Sequence, residues 1–259
     1  MSDLRISTIT IVSELNTHID LIQLFESLQI NDKIKYIEKG DSQKGTSSKA
    51  KRKSRKPEKK KVFFNQATIQ YFHNKLVNVK LFNNGKIQMT GLKYEEQGKE
   101  VLEELIQMIL EIQEKQLEEG IVEKDIFTTK GEIYLSNYRV VLINSDFDMK
   151  YPINRENLHR EMVDPEVSMY SSYEPCIYPG VNIKYFYNLE HEGGVCQCNR
   201  ICSGKGGGNG DGDCKKVTIA VFKSGKIIIT GAMCKEQLTI AHDYISEFIE
   251  SRKSSLLLS

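Results

Sequence analysis

The sequence predicts an α+β fold of two similar halves, each an antiparallel sheet backed by helices. Three observations carry this. Residues 77–91, VNVKLFNNGKIQMTG, and residues 217–231, VTIAVFKSGKIIITG, align without a gap 140 positions apart and agree at seven of fifteen positions. Within each copy, apolar residues alternate on both sides of a glycine turn, the period of a half-buried strand. Each copy then runs into a segment whose apolar residues recur at three and four positions, the period of a helix with one buried face. Two copies at so long a period are not a solenoid, which needs several short repeats. They point to halves related by a pseudo-two-fold.

The elements follow in order. In the second copy Val217, Ile219 and Val221 alternate with Thr218, Ala220 and Phe222. Ser224-Gly225 makes the turn, as Asn83-Asn84-Gly85 does in the first copy, because Gly and Asn tolerate the positive φ of tight hairpins. The return strands, Lys86 to Thr90 and Lys226 to Thr230, alternate in the same way. Val101, Leu102, Leu105, Ile106, Ile109 and Leu110 mark the first helix, and Leu238, Ala241, Tyr244, Ile245, Phe248 and Ile249 the second. The offset extends to Glu96/Glu236 and Gln97/Gln237. The halves are expected to span 1–125 and 126–259.

Alternation gives each sheet two faces. One carries Val, Ile and Leu and should pack under the helices. The other carries Asn78, Lys80, Phe82, Lys86, Gln88 and Thr90 in the first half, and Thr218, Ala220, Phe222, Lys226, Ile228 and Thr230 in the second. An isolated Phe is most simply read as core. A Phe on the face away from the core, just before the turn and in both copies, suggests a surface with work to do.

These residues resemble the TATA-box-binding protein family. FKSGKIIITGA, its first-half counterpart, DFDMKYPINRENL at 146–158 and SSYEPCIYPG at 171–180 carry the resemblance, which runs from about Leu4 to Ile249 across two insertions. It implies a saddle, with helices on the convex face and a curved sheet seated on the DNA minor groove. Two pairs of Phe wedge into base steps in that family, which is the type example of apolar wedging. Here they fall on Phe64 and Phe82, with Phe63 adjacent to the first, and on Tyr178 and Phe222. Tyr178 is a departure, since a buried hydroxyl needs a partner.

By the same resemblance Lys86, Lys184 and Lys226 stand near phosphates, Thr90 and Thr230 touch base edges, and Ile228 is an apolar groove contact. The family's paired central asparagines align with Thr8 and Leu142, while Asn144, two residues on, could supply an amide. Lys80 and Gln88 replace apolar groove residues. Minor-groove readout separates little more than A·T from G·C, so duplex binding is expected and strict TATA preference is in question.

Net charge is +1, yet the charge is segregated. Residues 44–61 hold ten basic side chains and one acid, among them Lys51, Arg52, Lys53, Arg55, Lys56, Lys59, Lys60 and Lys61. The resemblance sets this run, an insertion at about 40–61, in the loop bordering DNA before Phe64. There it would steer a polyanion and steepen the salt dependence of binding; a solvated linker or a nuclear-import signal is the alternative. Residues 94–125 hold eleven Asp and Glu against three Lys. The family's matching helix is basic, so partners of this surface should differ, as in a large DNA virus or a divergent eukaryote.

A second insertion, about 189–213, contains Cys196, Cys198 and Cys202, with Cys214 just beyond it and His191 nearby. Four thiolates could close a zinc site in a loop without a core of its own. The spacing C-x-C-x3-C-x11-C is not the paired ribbon pattern, and reduced thiols in a flexible loop are the alternative. The glycine run lacks the GK[ST] of a phosphate loop. Cys176 and Cys234 read as incidental small residues.

No catalytic constellation appears among the five histidines, so a non-enzyme is expected. No apolar stretch is long enough to span a bilayer, and the amino terminus is not a secretory signal. The resemblance implies an initiation factor that bends promoter DNA and recruits a factor-IIB-like partner and RNA polymerase, with Glu174 matching a partner contact. It would act in the nucleus, or in a cytoplasmic replication compartment if viral, and needs no cofactor beyond the conceivable zinc. An adaptor working through protein contacts, or a non-specific architectural bender, is the alternative.

Overall fold

The computed structural model describes residues 1–48, 63–121 and 125–258. These form two compact units, Ile9–Val140, and Met1–Thr8 together with Val141–Ser259. In chain order the first contains β1 (Arg5–Leu15, whose first residues belong to the second unit), α1 (Leu21–Ser27), β2 (Ile34–Lys39), β3 (Ser42–Gly45), β4 (Gln66–His73), β5 (Lys75–Phe82), β6 (Lys86–Leu92) and α2 (Glu96–Glu118). The second contains most of β7 (Leu135–Asp148), then α3 (Arg155–Met162), β8 (Tyr170–Ser172), β9 (Val181–Tyr187), β10 (Lys215–Val221), β11 (Lys226–Ala232), α4 (Lys235–Ser251) and α5 (Lys253–Leu256).

Strand order is β3-β2-β4-β5-β6-β1 in the first unit and β7-β11-β10-β9-β8 in the second. The fold class is α+β, and the two orders are the same plan with one extra strand in the first. Register repeats as the sequence does. Asn78 faces Thr90 and Leu81 faces Ile87; 140 residues later Thr218 faces Thr230 and Val221 faces Ile227. Ile87, Met89, Ile227 and Ile229 are buried, and each such side chain contributes about 1.5–3 kcal/mol.

The turns are built alike. Gly85 and Gly225 have φ of +82° and +86°, and a Cβ there would lie 2.3 Å from the Thr17 carbonyl oxygen and 2.2 Å from that of Tyr151. Only glycine fits both the backbone and the space. Each turn carbonyl then holds the neighbouring strand: Leu15 N–H donates to Gly85 at 2.9 Å and Met149 N–H to Gly225 at 3.0 Å. Asp20 caps α1 by accepting from Ile22 and Gln23 N–H, and Asn154 caps α3 by accepting from Asn157 N–H.

One further pair explains an identity that extends beyond the hairpins. The buried Gln97 accepts from Lys93 N–H at 3.1 Å and donates to the His73 carbonyl at 3.3 Å. Gln237 accepts from Met233 N–H at 2.8 Å and donates to the Gly207 carbonyl at 2.8 Å. Both amides clasp the start of a helix to a neighbouring backbone carbonyl, at the end of β4 in one unit and in a loop in the other.

In the first unit α2 packs on the sheet through Gly98, where a Cβ would meet Ile11, Leu92 and the Tyr138 hydroxyl. Its acid is partly answered. Glu104 accepts from Lys33 and from the Tyr71 hydroxyl, each at 2.8 Å, and His73 lies 3.1 Å from Glu100. Lys33 and Tyr71 hold the Glu104 carboxyl below the usual glutamate range against the opposing effect of burial. The basic run begins inside this fold. Lys44 lies on β3 and donates to the carbonyls of Phe25, Glu26 and Leu28 at 2.6–2.9 Å, at the end of α1. The loop residues Lys51, Arg52, Lys53, Arg55, Lys56, Lys59, Lys60 and Lys61 lie outside the described residues. Among the described residues no helix is long and apolar enough to cross a membrane.

Candidate nucleic-acid interface

In each unit the strands leave one face without helices, and strand parity sorts the side chains. In the first unit Leu81, Ile87 and Met89 are buried while Lys80, Phe82, Gln88 and Thr90 are half-buried and Lys86 is exposed. In the second, Val221, Ile227 and Ile229 are buried, Phe222 and Thr230 are half-buried, and Lys226 and Ile228 are exposed. Phe82 and Phe222 therefore stand on the open faces. Each lines a shallow depression there, Phe82 with Glu14, Lys86 and Arg139, and Phe222 with Asn144, Lys226 and Ile228.

Tyr178 joins Phe222. Their ring centroids are 5.8 Å apart at 59°, the tilted arrangement that suits two π systems. Gly180 makes this possible, since a Cβ there would lie 2.9 Å from Tyr178 and 3.2 Å from Phe222. The register also separates Phe63 from Phe64. Ala67 faces Leu81 as Val181 faces Val221, so the residue three before Ala67, Phe64, is the counterpart of Tyr178. Phe64 is 69% exposed, with its ring beside Gly40. The place of Gly180 is taken in the first unit by Gln66, and the two aromatic sites are not copies of one another.

The lysines do not face open solvent alone. Lys86 Nζ lies 3.9 Å from Glu14 on the adjacent strand, and Lys226 is registered opposite Asp148, which Lys150 approaches at 3.9 Å. Asp146, opposite Ile228, pairs with Arg5 at 2.8 Å. Lys184 donates to the Thr218 hydroxyl at 3.0 Å, and burial, aided by nearby Lys216, lowers its pKa. Glu14, Asp146, Asp148, Arg5 and Arg139 were not singled out in the sequence. Strand parity was the available signal, since Asn144, Asp146 and Asp148 share one face.

Thr8, Leu142 and Asn144 are half-buried, and Asn144 pairs with Thr230 in the register. By register Asn144 corresponds to Thr10, opposite Thr90. Glu174 is exposed in the turn before Tyr178, its carbonyl accepting from Ile177 and Tyr178 N–H at 2.9 Å. Ile177 beside it is 85% exposed.

The cysteine insertion lies between β9 and β10. The sulfurs of Cys196, Cys198, Cys202 and Cys214 all lie within 4.8 Å of one another, a set that could hold a metal ion. His191 is outside it. Asp213 accepts from Gly207 and Asn209 N–H at 3.1 and 3.0 Å, which folds the glycine run back on itself.

Residues 137–251 match the family model described as "Transcription factor TFIID (or TATA-binding protein, TBP)". The second repeat is similar to TBP. A protein of Acanthamoeba polyphaga mimivirus described as "TATA-box-binding protein-like" is 27% identical over 270 residues, a match that takes in 95% of this chain. The chain spans 65% of that relative's length. Methanococcus jannaschii TBP shares the fold, with a TM-score of 0.51 at 17% identity over 96% of this chain and 99% of that one. The TBP-like match to the family model begins in β7 and ends with α4, so it covers the second repeat with both Tyr178 and Phe222.

Proposed function

We propose that this chain binds duplex DNA in the minor groove and bends it, acting as an initiation factor. The observation that carries the reading is the matched placement of Phe82 and Phe222 on helix-free sheet faces, each beside a lysine at the next turn. Phe64, Phe82, Tyr178 and Phe222 are the wedges. They unstack base steps at a few kcal/mol per step and gain contact area from the bent duplex. Lys80, Lys86, Lys184 and Lys226 track phosphates with the basic loop, while Thr8, Gln88, Thr90, Leu142, Asn144, Ile228 and Thr230 line the groove. The exposed turn at Glu174 receives a factor-IIB-like partner, through which RNA polymerase is recruited. The place of action is the nucleus, or a cytoplasmic replication compartment in a virus.

The carboxylates at Glu14, Asp146 and Asp148 favour a second reading, an adaptor that keeps the fold and works through protein contacts. Titration of A·T-rich and G·C-rich duplexes at several salt concentrations separates them. A·T preference with a bend supports the initiation factor; equal binding to both duplexes supports an architectural bender. Absence of duplex binding overturns the DNA reading in favour of the adaptor.

A further inference from the structure

We propose that Cys196, Cys198, Cys202 and Cys214 bind one zinc ion as a closed tetrathiolate that folds the insertion between β9 and β10. Cys198 Sγ lies 3.4 Å and Cys196 Sγ 3.8 Å from Cys214 Sγ. A tetrahedral zinc with bonds of about 2.3 Å sets its sulfurs about 3.8 Å apart. All four sulfurs fall within a span of 4.8 Å. Soft thiolates in a tetrahedral set select zinc over hard cations.

The surroundings are those of a structural site. The buried Asn188 amide donates to Cys214 Sγ at 3.3 Å and to the Gly210 carbonyl at 2.7 Å, the kind of N–H contact that orients a metal-bound thiolate. Between Leu189 and Asp213 no apolar side chain is buried among the described residues. A segment of that size with no apolar core needs a cross-link, and metal binding supplies folding energy directly. The insertion nevertheless keeps a defined seat. Gly194 and Gly208 lie where a Cβ would strike the rings of Tyr185 and Tyr187, and Gly204 where it would strike Lys216 and Phe186. Because Phe186 and the two tyrosines alternate along β9, the insertion straddles the end of the hairpin. Gln237 then ties it to α4. With four protein ligands the ion has no open position for chemistry, and its task is to hold this seat.

The test uses the full chain, purified without chelators or a histidine tag and measured by elemental mass spectrometry. About one zinc per chain is expected, falling at least tenfold in Cys202→Ser and unchanged in Cys176→Ser and Cys234→Ser. Should Cys202→Ser fail to fold, cobalt substitution of the wild-type chain decides. The intense thiolate-to-cobalt absorption of a tetrahedral tetrathiolate supports the site. A folded chain without zinc or that absorption, one holding iron instead, or one with a Cys198–Cys214 disulfide and no metal would overturn it. DNA titration plays no part here, so failure of the site leaves the reading of the sheet untouched.

Discussion

Tyr178, from the segment before β9, and Phe222, just past the end of β10, meet at 5.8 Å over Gly180, whose missing side chain leaves the space that both rings enter. A ring pair on an open face is a stiff object. Its two members buttress one another, so each should be needed for the other's orientation. The neighbouring lysine, Lys226, holds no such ring geometry and, on the proposed reading, should act through charge.

Phe222→Ala should therefore reduce DNA bending more than Lys226→Ala does. Fluorescence transfer between labelled duplex ends reads the bend. Lys226→Ala should instead lower affinity on every duplex and reduce the salt slope by about one. An unchanged bend in Phe222→Ala would remove Phe222 from the wedges.

Glu14→Gln should tighten DNA binding about two- to fivefold at low salt, because Lys86 then loses an internal partner that competes with phosphate. The gain should shrink as salt screens the pair. Equilibrium titration at two ionic strengths checks it, and a weakened complex would mean that the carboxylate orients Lys86 instead.

Gly85→Ala and Gly225→Ala should destabilise the fold by similar amounts. Both positions hold left-handed backbone, and in both a Cβ would overlap a carbonyl oxygen of the adjoining segment. Backbone strain alone costs about 1–3 kcal/mol, equivalent to a melting temperature lower by roughly 3–10 °C. Calorimetry should find both variants below the wild type.

Acid should weaken the first unit through Glu104. Its folded pKa is depressed, chiefly by the Lys33 hydrogen bond, so its contribution is present above the unfolded value of about 4.3 and is lost as pH falls through the folded value. Glu104→Gln should lower stability at neutral pH and flatten the acid limb. Melting curves from pH 7 to about pH 3 test the sign.

The sequence made the repeat legible because its signals are local. Alternation placed Phe82 and Phe222 opposite the buried strand residues, and Gly85 and Gly225 followed from the φ that their turns require. Partners distant in the chain were harder to read. Gln97 and Gln237 showed as a repeated identity, but their role depends on carbonyls supplied from elsewhere in the chain. Glu14 and Asp148 became relevant only when the register set them opposite Lys86 and Lys226. The equivalence of Phe64 with Tyr178 depends on the register of β4 and β9, and the four cysteines are brought together by the folding of a glycine run whose positive φ values no spacing rule anticipates.

The amide clasp at Gln97 and Gln237 asks only for a carbonyl oxygen at the right distance, and it is indifferent to whether a strand end or a loop offers one. In the first unit the oxygen comes from His73 at the end of β4, and in the second from Gly207, deep in the cysteine insertion. The second unit thus accommodates some two dozen additional residues while its helix keeps the same fastening. Loops at this corner can lengthen and diversify over evolutionary time as long as one backbone acceptor returns to the amide.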